Sequence, residues 1–157
     1  MLDVAPLSPD GRLPLLISPQ TAGMGLDAEV ARQSQRYLER AGGLLFRGFD
    51  VGGMATFRAF AKAFGHELLG YEFGSTPRNA LGDGVYSSTE YPAHQSIPLH
   101  NEQSYCLRWP MKIWFYCEQA AKRGGETPIA DSREVYSRMP EGIRRRFRER
   151  GLQYVRN

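Results

Sequence analysis

Residues 96–106 read SIPLHNEQSYC, and the conformation assigned to them decides how the rest of the chain is read. Leu99 to Cys106 is predicted as a strand. Side chains two apart on a strand share one face, whereas on a helix they diverge by about 200°. His100 and Glu102 then converge, an imidazole and a carboxylate able to share one metal ion. The H-x-E spacing alone is common, and the bland reading of an isolated pair is a histidine beside a solvated glutamate. The other two histidines are His66 and His94.

Outward from the pair, Met111 to Glu118 is predicted as a second strand. GGETPIADSREVYSRMPEGIRRRFRERG, residues 124–151, reads as a turn, a strand and two short helices, the second entered through Pro140. LQYVRN then looks like the start of another strand. On the N-terminal side, residues 68–98 combine glycines, prolines and small polar residues, with one strand candidate at Val85 to Ser88. So long a stretch with so little periodicity suits a loop bordering a site. Earlier still, Asp27 is placed to cap the helix AEVARQSQRYLERA, with Val30, Ser34, Tyr37, Leu38 and Ala41 on one face and Gly42 and Gly43 stopping it. LLFRGF, residues 44–49, reads as a buried strand broken by a polar residue. A helix from Met54 to Phe64 presents Phe57, Phe60, Ala61 and Phe64 to a core. Residues 1–22, with four prolines, read as an irregular lead-in in which LPLLIS is a short strand at a sheet rim.

The totals exclude several classes. A 157-residue chain with 41% hydrophobic and 11% aromatic residues is globular and long enough for one core. It has no apolar run of about 18 residues, so no membrane partner is expected, and no secretory signal pattern opens it. Cys106 and Cys117 are the only cysteines. Two reduced, half-buried thiols on neighbouring strands, in a cytoplasmic protein, are expected. The net charge is +3, and its densest contribution, GIRRRFRERG, reads as a solvated helix face with Ile143, Phe147 and Leu152 as an apolar stripe. Basic residues interleaved with stacking aromatics are missing, so no nucleic-acid partner is expected.

Imidazole and carboxylate, joined by a second imidazole from elsewhere, make the facial triad of non-heme Fe(II) oxygenases. The company of the pair points the same way. LLFRGF after a helix, FAKAFG, STEYPAHQSIPLHNEQSY and WPMKIWFYCEQAAKRGGETPIADSREVY occur in that order. Together, over about Gly43 to Asn157, they resemble the TauD/TfdA family of Fe(II)/2-oxoglutarate-dependent dioxygenases, and within it the clavaminate-synthase-like and SyrP-like members with glutamate in the ligand pair. The resemblance implies an α+β, mainly β fold, part of a double-stranded β-helix or jelly roll with flanking helices. It implies iron ligation by His100 and Glu102, and a contact of Thr127 with the distal carboxylate of 2-oxoglutarate. Asp131 is expected to cap a helix, Arg47 to tie a loop to a strand and His66 to sit at a helix terminus. His94 is a loop residue, with substrate contact or metal ligation as its other roles.

The chain departs from the family pattern in one respect. The family's second histidine ligand, and the arginine that anchors 2-oxoglutarate, lie far beyond the first pair, and no histidine follows His100. Residues 1–157 therefore read as a single partial domain, the N-terminal half. A C-terminal half on another chain, or a homo-oligomer, is the implied protein partner. The implied reaction is decarboxylation of 2-oxoglutarate to succinate and CO2 coupled to hydroxylation of an aliphatic C–H. The substrate is a small amino-acid-like molecule, free or carrier-bound, in specialised metabolism. From a different class, a non-catalytic binding or assembly module predicts metal-independent stability and no response to 2-oxoglutarate; half of a split enzyme is the other alternative. A zinc site from His94, His100, Cys106 and Cys117 has no structural zinc spacing to support it.

Overall fold

The computed structural model describes all residues except 10, 72–77, 89–91, 93 and 156–157. The chain divides into two compact units, one of Met1–Pro92 with Lys112–Ala120, the other of Ala93–Met111 with Ala121–Asn157.

The first unit is built on a three-stranded sheet of order β1-β2-β3. β1 (Leu2–Pro6) pairs antiparallel with β2 (Leu15–Pro19), from Leu2 opposite Pro19 to Pro6 opposite Leu15. Of the prolines that suggested an irregular lead-in, Pro6, Pro14 and Pro19 sit at or next to the strand ends and Pro9 in the connection, where a missing N–H costs little. β2 is the central strand and not a rim strand, and its Ile17 is fully buried. Parallel strands need a crossover, and α1 (Ala28–Ala41) provides it between β2 and β3 (Leu44–Phe46).

Both ends of α1 follow from local chemistry. The Asp27 carboxylate accepts from the Val30 N–H at 2.9 Å, and Gly42 closes the C-terminus at φ 84°, its N–H donating to the Leu38 carbonyl. A residue with a Cβ adopts that left-handed conformation only at a cost. Val30, Ala31, Ser34 and Ala41 form the buried face. It packs with Leu26 against Phe60 and Phe64 of the stretch begun by α2 (Met54–Lys62). Phe46, Phe60, Phe64 and Trp114 meet edge-on or tilted, with centroids 4.6–6.3 Å apart. Such contacts add about 0.5–1.5 kcal/mol each beyond burial. A small hairpin, β4 (Ala80–Gly82) with β5 (Val85–Tyr86), is tied to α2 by the Arg58–Asp83 ion pair at 2.6 Å.

The second unit holds α3 (Ser132–Arg138) and α4 (Glu141–Arg150). The Asp131 side chain accepts from the Arg133 N–H, the expected cap. Neither helix buries a residue. Ile143, Phe147 and Leu152, expected as a packed stripe, are exposed. The Tyr136 ring lies under the Arg144 guanidinium, 5.2 Å from its centroid, and its hydroxyl accepts from Arg148 at 2.8 Å.

The mainly β expectation needs correction for the described residues. Their four helices, 7 to 14 residues long, outweigh five strands of at most 5 residues, and the two small sheets do not close a jelly roll. Leu99 to Cys106, Met111 to Glu118, residues 126–131 and residues 152–155 join no sheet. A strand is completed by its neighbour, and among the described residues these segments have none. Cys106 and Cys117 are accordingly not on paired strands; both are thiols, the first half-buried and the second exposed. No helix is long and apolar enough to cross a membrane among the described residues.

Candidate metal centre

His100 and Glu102 are brought together by a turn and not by a strand. Ile97 precedes Pro98, which disfavours helical backbone at that point, and residues 96–101 carry no regular structure. The chain then folds back. Gln103 adopts φ 52°, and the Cys106 N–H donates to the Gln103 carbonyl at 3.0 Å. A left-handed residue other than glycine costs roughly 1 kcal/mol or more. It ends the extended course, so the same-face rule for strands does not place the pair.

The resulting geometry sets the two groups side by side. Nδ1 of His100 lies 2.8 Å from the Pro98 carbonyl oxygen. A carbonyl only accepts, so Nδ1 carries the proton and the neutral ring presents its lone pair at Nε2. Nε2 is 3.8 Å from Oε2 of Glu102. That separation is beyond a hydrogen bond; adjacent ligands with metal bonds of about 2 Å stand about 3 Å apart, so the two side chains close by under about 1 Å to share one ion. The imidazole is exposed and the carboxylate half-buried. Fixing the tautomer through a backbone carbonyl is the arrangement metal-ligating histidines use. A protonated His100 turns the same pair into a weak ion pair, so proton and metal compete for Nε2.

Asn101, between His100 and Glu102, accepts from the Ser132 hydroxyl at 3.4 Å. That contact joins the segment carrying the pair to the first residue of α3. Asp131, one residue earlier, also accepts from the Arg133 guanidinium, with Nη2 at 2.8 Å. Those bonds hold its carboxyl down to about 2 from an ordinary 3.8, the Arg133 side chain being the largest cause and its backbone N–H the next. Sequence reasoning missed the Pro98 carbonyl and the Asn101–Ser132 contact. The proline two residues before His100 was the available signal for the first.

The other expected site residues lie apart. No group of three His, Cys, Asp or Glu side chains able to hold a metal occurs among the described residues, so His94, exposed in a turn, does not join the pair. Thr127 is exposed in the irregular lead to α3 and makes no hydrogen bond among the described residues. The expected tight turn is not assigned at the two glycines: the chain bends at Lys122 and Arg123, while Gly124 and Gly125 have φ 68° and 82°, and a Cβ on Gly125 would meet that of Ala121 at 2.9 Å. Arg47 continues the sheet through its backbone, its N–H donating to the Ile17 carbonyl at 3.1 Å. Its exposed guanidinium ties no loop among the described residues, contrary to expectation. His66 is exposed just past the end of α2, with Gly65 as the stop.

Comparison with known proteins adds an independent observation. Residues 5–157 match the family described as taurine catabolism dioxygenase TauD, TfdA family. The dapdiamide synthesis protein DdaC of Enterobacter agglomerans is 39% identical over 143 residues, covering 90% of this chain and 44% of that protein. A clavaminate synthase-like protein of Arabidopsis thaliana is 37% identical over 158 residues, covering 91% of this chain and 48% of its own. The chain thus spans about half the length of the curated relatives it matches.

Proposed function

The chain belongs to the TauD/TfdA family of dioxygenases, generally dependent on Fe(II) and 2-oxoglutarate, and on that premise we propose that it supplies the iron-binding pair of a hydroxylase-type oxygenase. His100 Nε2 and Glu102 Oε2 are the ligands. The observation that carries the reading is the Pro98 carbonyl on His100 Nδ1, which leaves Nε2 facing a carboxylate 3.8 Å away. Two ligands of a facial triad leave the remaining positions to be filled. The second histidine ligand and the arginine that clamps 2-oxoglutarate come from polypeptide beyond these residues, a C-terminal half in the same chain or another, or a further copy. Iron with 2-oxoglutarate and O2 supplies the oxidising chemistry, the co-substrate leaving as succinate and CO2.

The residues of this chain act around that centre. The Thr127 hydroxyl donates to the distal carboxylate of 2-oxoglutarate, with the Gly124–Gly125 pair setting its approach. The glutamate at 102 keeps a carboxylate on the iron, which fits hydroxylation of an aliphatic C–H better than halogenation. His94 borders the loop side and contacts substrate. A small amino-acid-like substrate, free or carrier-bound, in specialised metabolism is the class proposed. The name of one relative, a dapdiamide synthesis protein, supports a biosynthetic setting. Two thiols without a disulfide fit a reducing, cytoplasmic compartment.

The test is an anaerobic titration with Fe(II) and 2-oxoglutarate, following the visible metal-to-ligand charge-transfer band. The 157-residue chain is titrated alone, and then with a polypeptide spanning the part of the dapdiamide synthesis protein outside the match. The band is expected in the mixture, and His100→Ala or Glu102→Ala removes it. A mixture that associates but never develops the band overturns the oxygenase reading in favour of a non-catalytic assembly module.

A further inference from the structure

We propose that one face of α4 docks an acidic, helical carrier protein that bears the substrate. Charge is divided unevenly along this chain. The unit that holds His100, Glu102, α3 and α4 has eleven Lys and Arg against six Asp and Glu, whereas the other unit has nine against eleven. α4 alone has five arginines and two glutamates, as large an excess as the +3 of the whole chain.

Those arginines fall into two sets. Arg144 and Arg148 are engaged with α3 and with Glu141: Arg144 pairs with Glu141 at 2.7 Å and lies over the Tyr136 ring, and Arg148 donates to the Tyr136 hydroxyl. Gly142, Arg145, Arg146, Glu149 and Arg150 follow the i, i+3, i+4, i+7, i+8 spacing of a single helix face. With Ile143 they line a groove of about 470 Å³. Arg145 and Glu149 stand 4.0 Å apart. Arg146 and Arg150, one turn apart and exposed, have no ion-pair partner among the described residues. Gly142 is the odd member of the face, because glycine weakens a helix. A Cβ there would meet nothing within 4 Å. Packing among the described residues therefore gives no reason for it, whereas close approach of an outside helix does.

The groove selects its occupant by chemistry. Guanidinium forks pair bidentately with carboxylates, and Ile143, 45% exposed, adds an apolar contact at the rim. Glu149 argues against a lipid or nucleic-acid surface, whose repeated phosphates it repels. A protein can meet that glutamate with a base or an N–H while its own acids take Arg146 and Arg150. The carrier role follows from where the groove lies. α4 is joined to α3 through Tyr136, and Ser132 of α3 to the segment of His100 and Glu102 through Asn101. A protein held on α4 is thus held on the unit that bears the proposed iron pair. This rests on the proposal above in taking the substrate as carrier-bound; it does not depend on iron.

The experiment is calorimetric titration of the 157-residue chain with three probes: an acidic peptidyl carrier domain bearing its phosphopantetheine arm, phosphatidylglycerol vesicles, and duplex DNA. The expected result is a one-to-one complex with the carrier domain that added salt weakens. Arg146→Gln with Arg150→Gln keeps helix-forming residues and weakens that complex about tenfold, with the circular dichroism of the chain unchanged. Gly142→Gln alters no charge and weakens it about fivefold by filling the groove. A doubly substituted His100→Ala, Glu102→Ala chain binds the carrier domain as the native chain does, so a failed iron reading leaves this result standing. Carrier binding that survives both α4 changes overturns the proposal. Tighter binding to the vesicles or the DNA overturns it by naming another partner, and no binding to any of the three overturns it outright.

Discussion

Ser34 shows how much a single atom can contribute inside a helix that is otherwise well specified. It is fully buried on the apolar face of α1, and its hydroxyl has no hydrogen-bond partner among the described residues. An unsatisfied buried hydroxyl costs roughly 1–3 kcal/mol, and alanine is also the better helix former. Ser34→Ala is therefore expected to stabilise the chain by about 1 kcal/mol in a urea titration. A loss of stability instead would mean that a solvent molecule or a shifted rotamer satisfies the hydroxyl. Its placement on the buried face was legible from spacing alone, as were the caps at Asp27 and Asp131, because each depends on residues within one turn. The tautomer of His100 was not, since a histidine in a sequence does not say which of its nitrogens meets a carbonyl.

At the level of elements, α3 depends on the Asp131 carboxylate, which accepts from the Arg133 backbone N–H and guanidinium. The carboxyl is held at about 2, below its ordinary 3.8. A depressed folded value means the unfolded chain takes up its proton first on acidification. The contribution is thus complete above about pH 4 and is lost as the pH falls through about 2. A carbon-detected NMR titration of the Asp131 carboxyl should give a midpoint near 2. A midpoint at the ordinary value would show the cap open in solution. The helices were legible because 3.6-residue periodicity, caps and stops are written locally. The strands divided according to their partners. LLFRGF found β2 across the α1 crossover, and residues 1–6, read as irregular, found the same strand from its other side. The segments around His100 and Trp114 have strand-like composition, but no neighbour for them occurs among the described residues.

For the molecule as a whole, the candidate site was legible in part for the same reason. His100 and Glu102 stand two apart and are joined by their own turn, so the pair could be named even though the strand that was to align them is absent. The fold implied by the family needs contacts that these residues do not make with one another, and helix therefore predominates over strand. The exposed row of Ile113 and Phe115 ends at Cys117, whose thiol is also exposed, whereas Cys106 is half-buried in the other unit. The chain therefore carries its own occupancy label. In a crude extract, maleimide would modify Cys117 quickly wherever this apolar row is bare and slowly wherever it is covered. Mass spectrometry of the two cysteine peptides then reads, in molecules never purified away from their surroundings, what fraction has been assembled. Equal Cys117 labelling in extract and in the isolated chain would mean that nothing in the cell sits on that row.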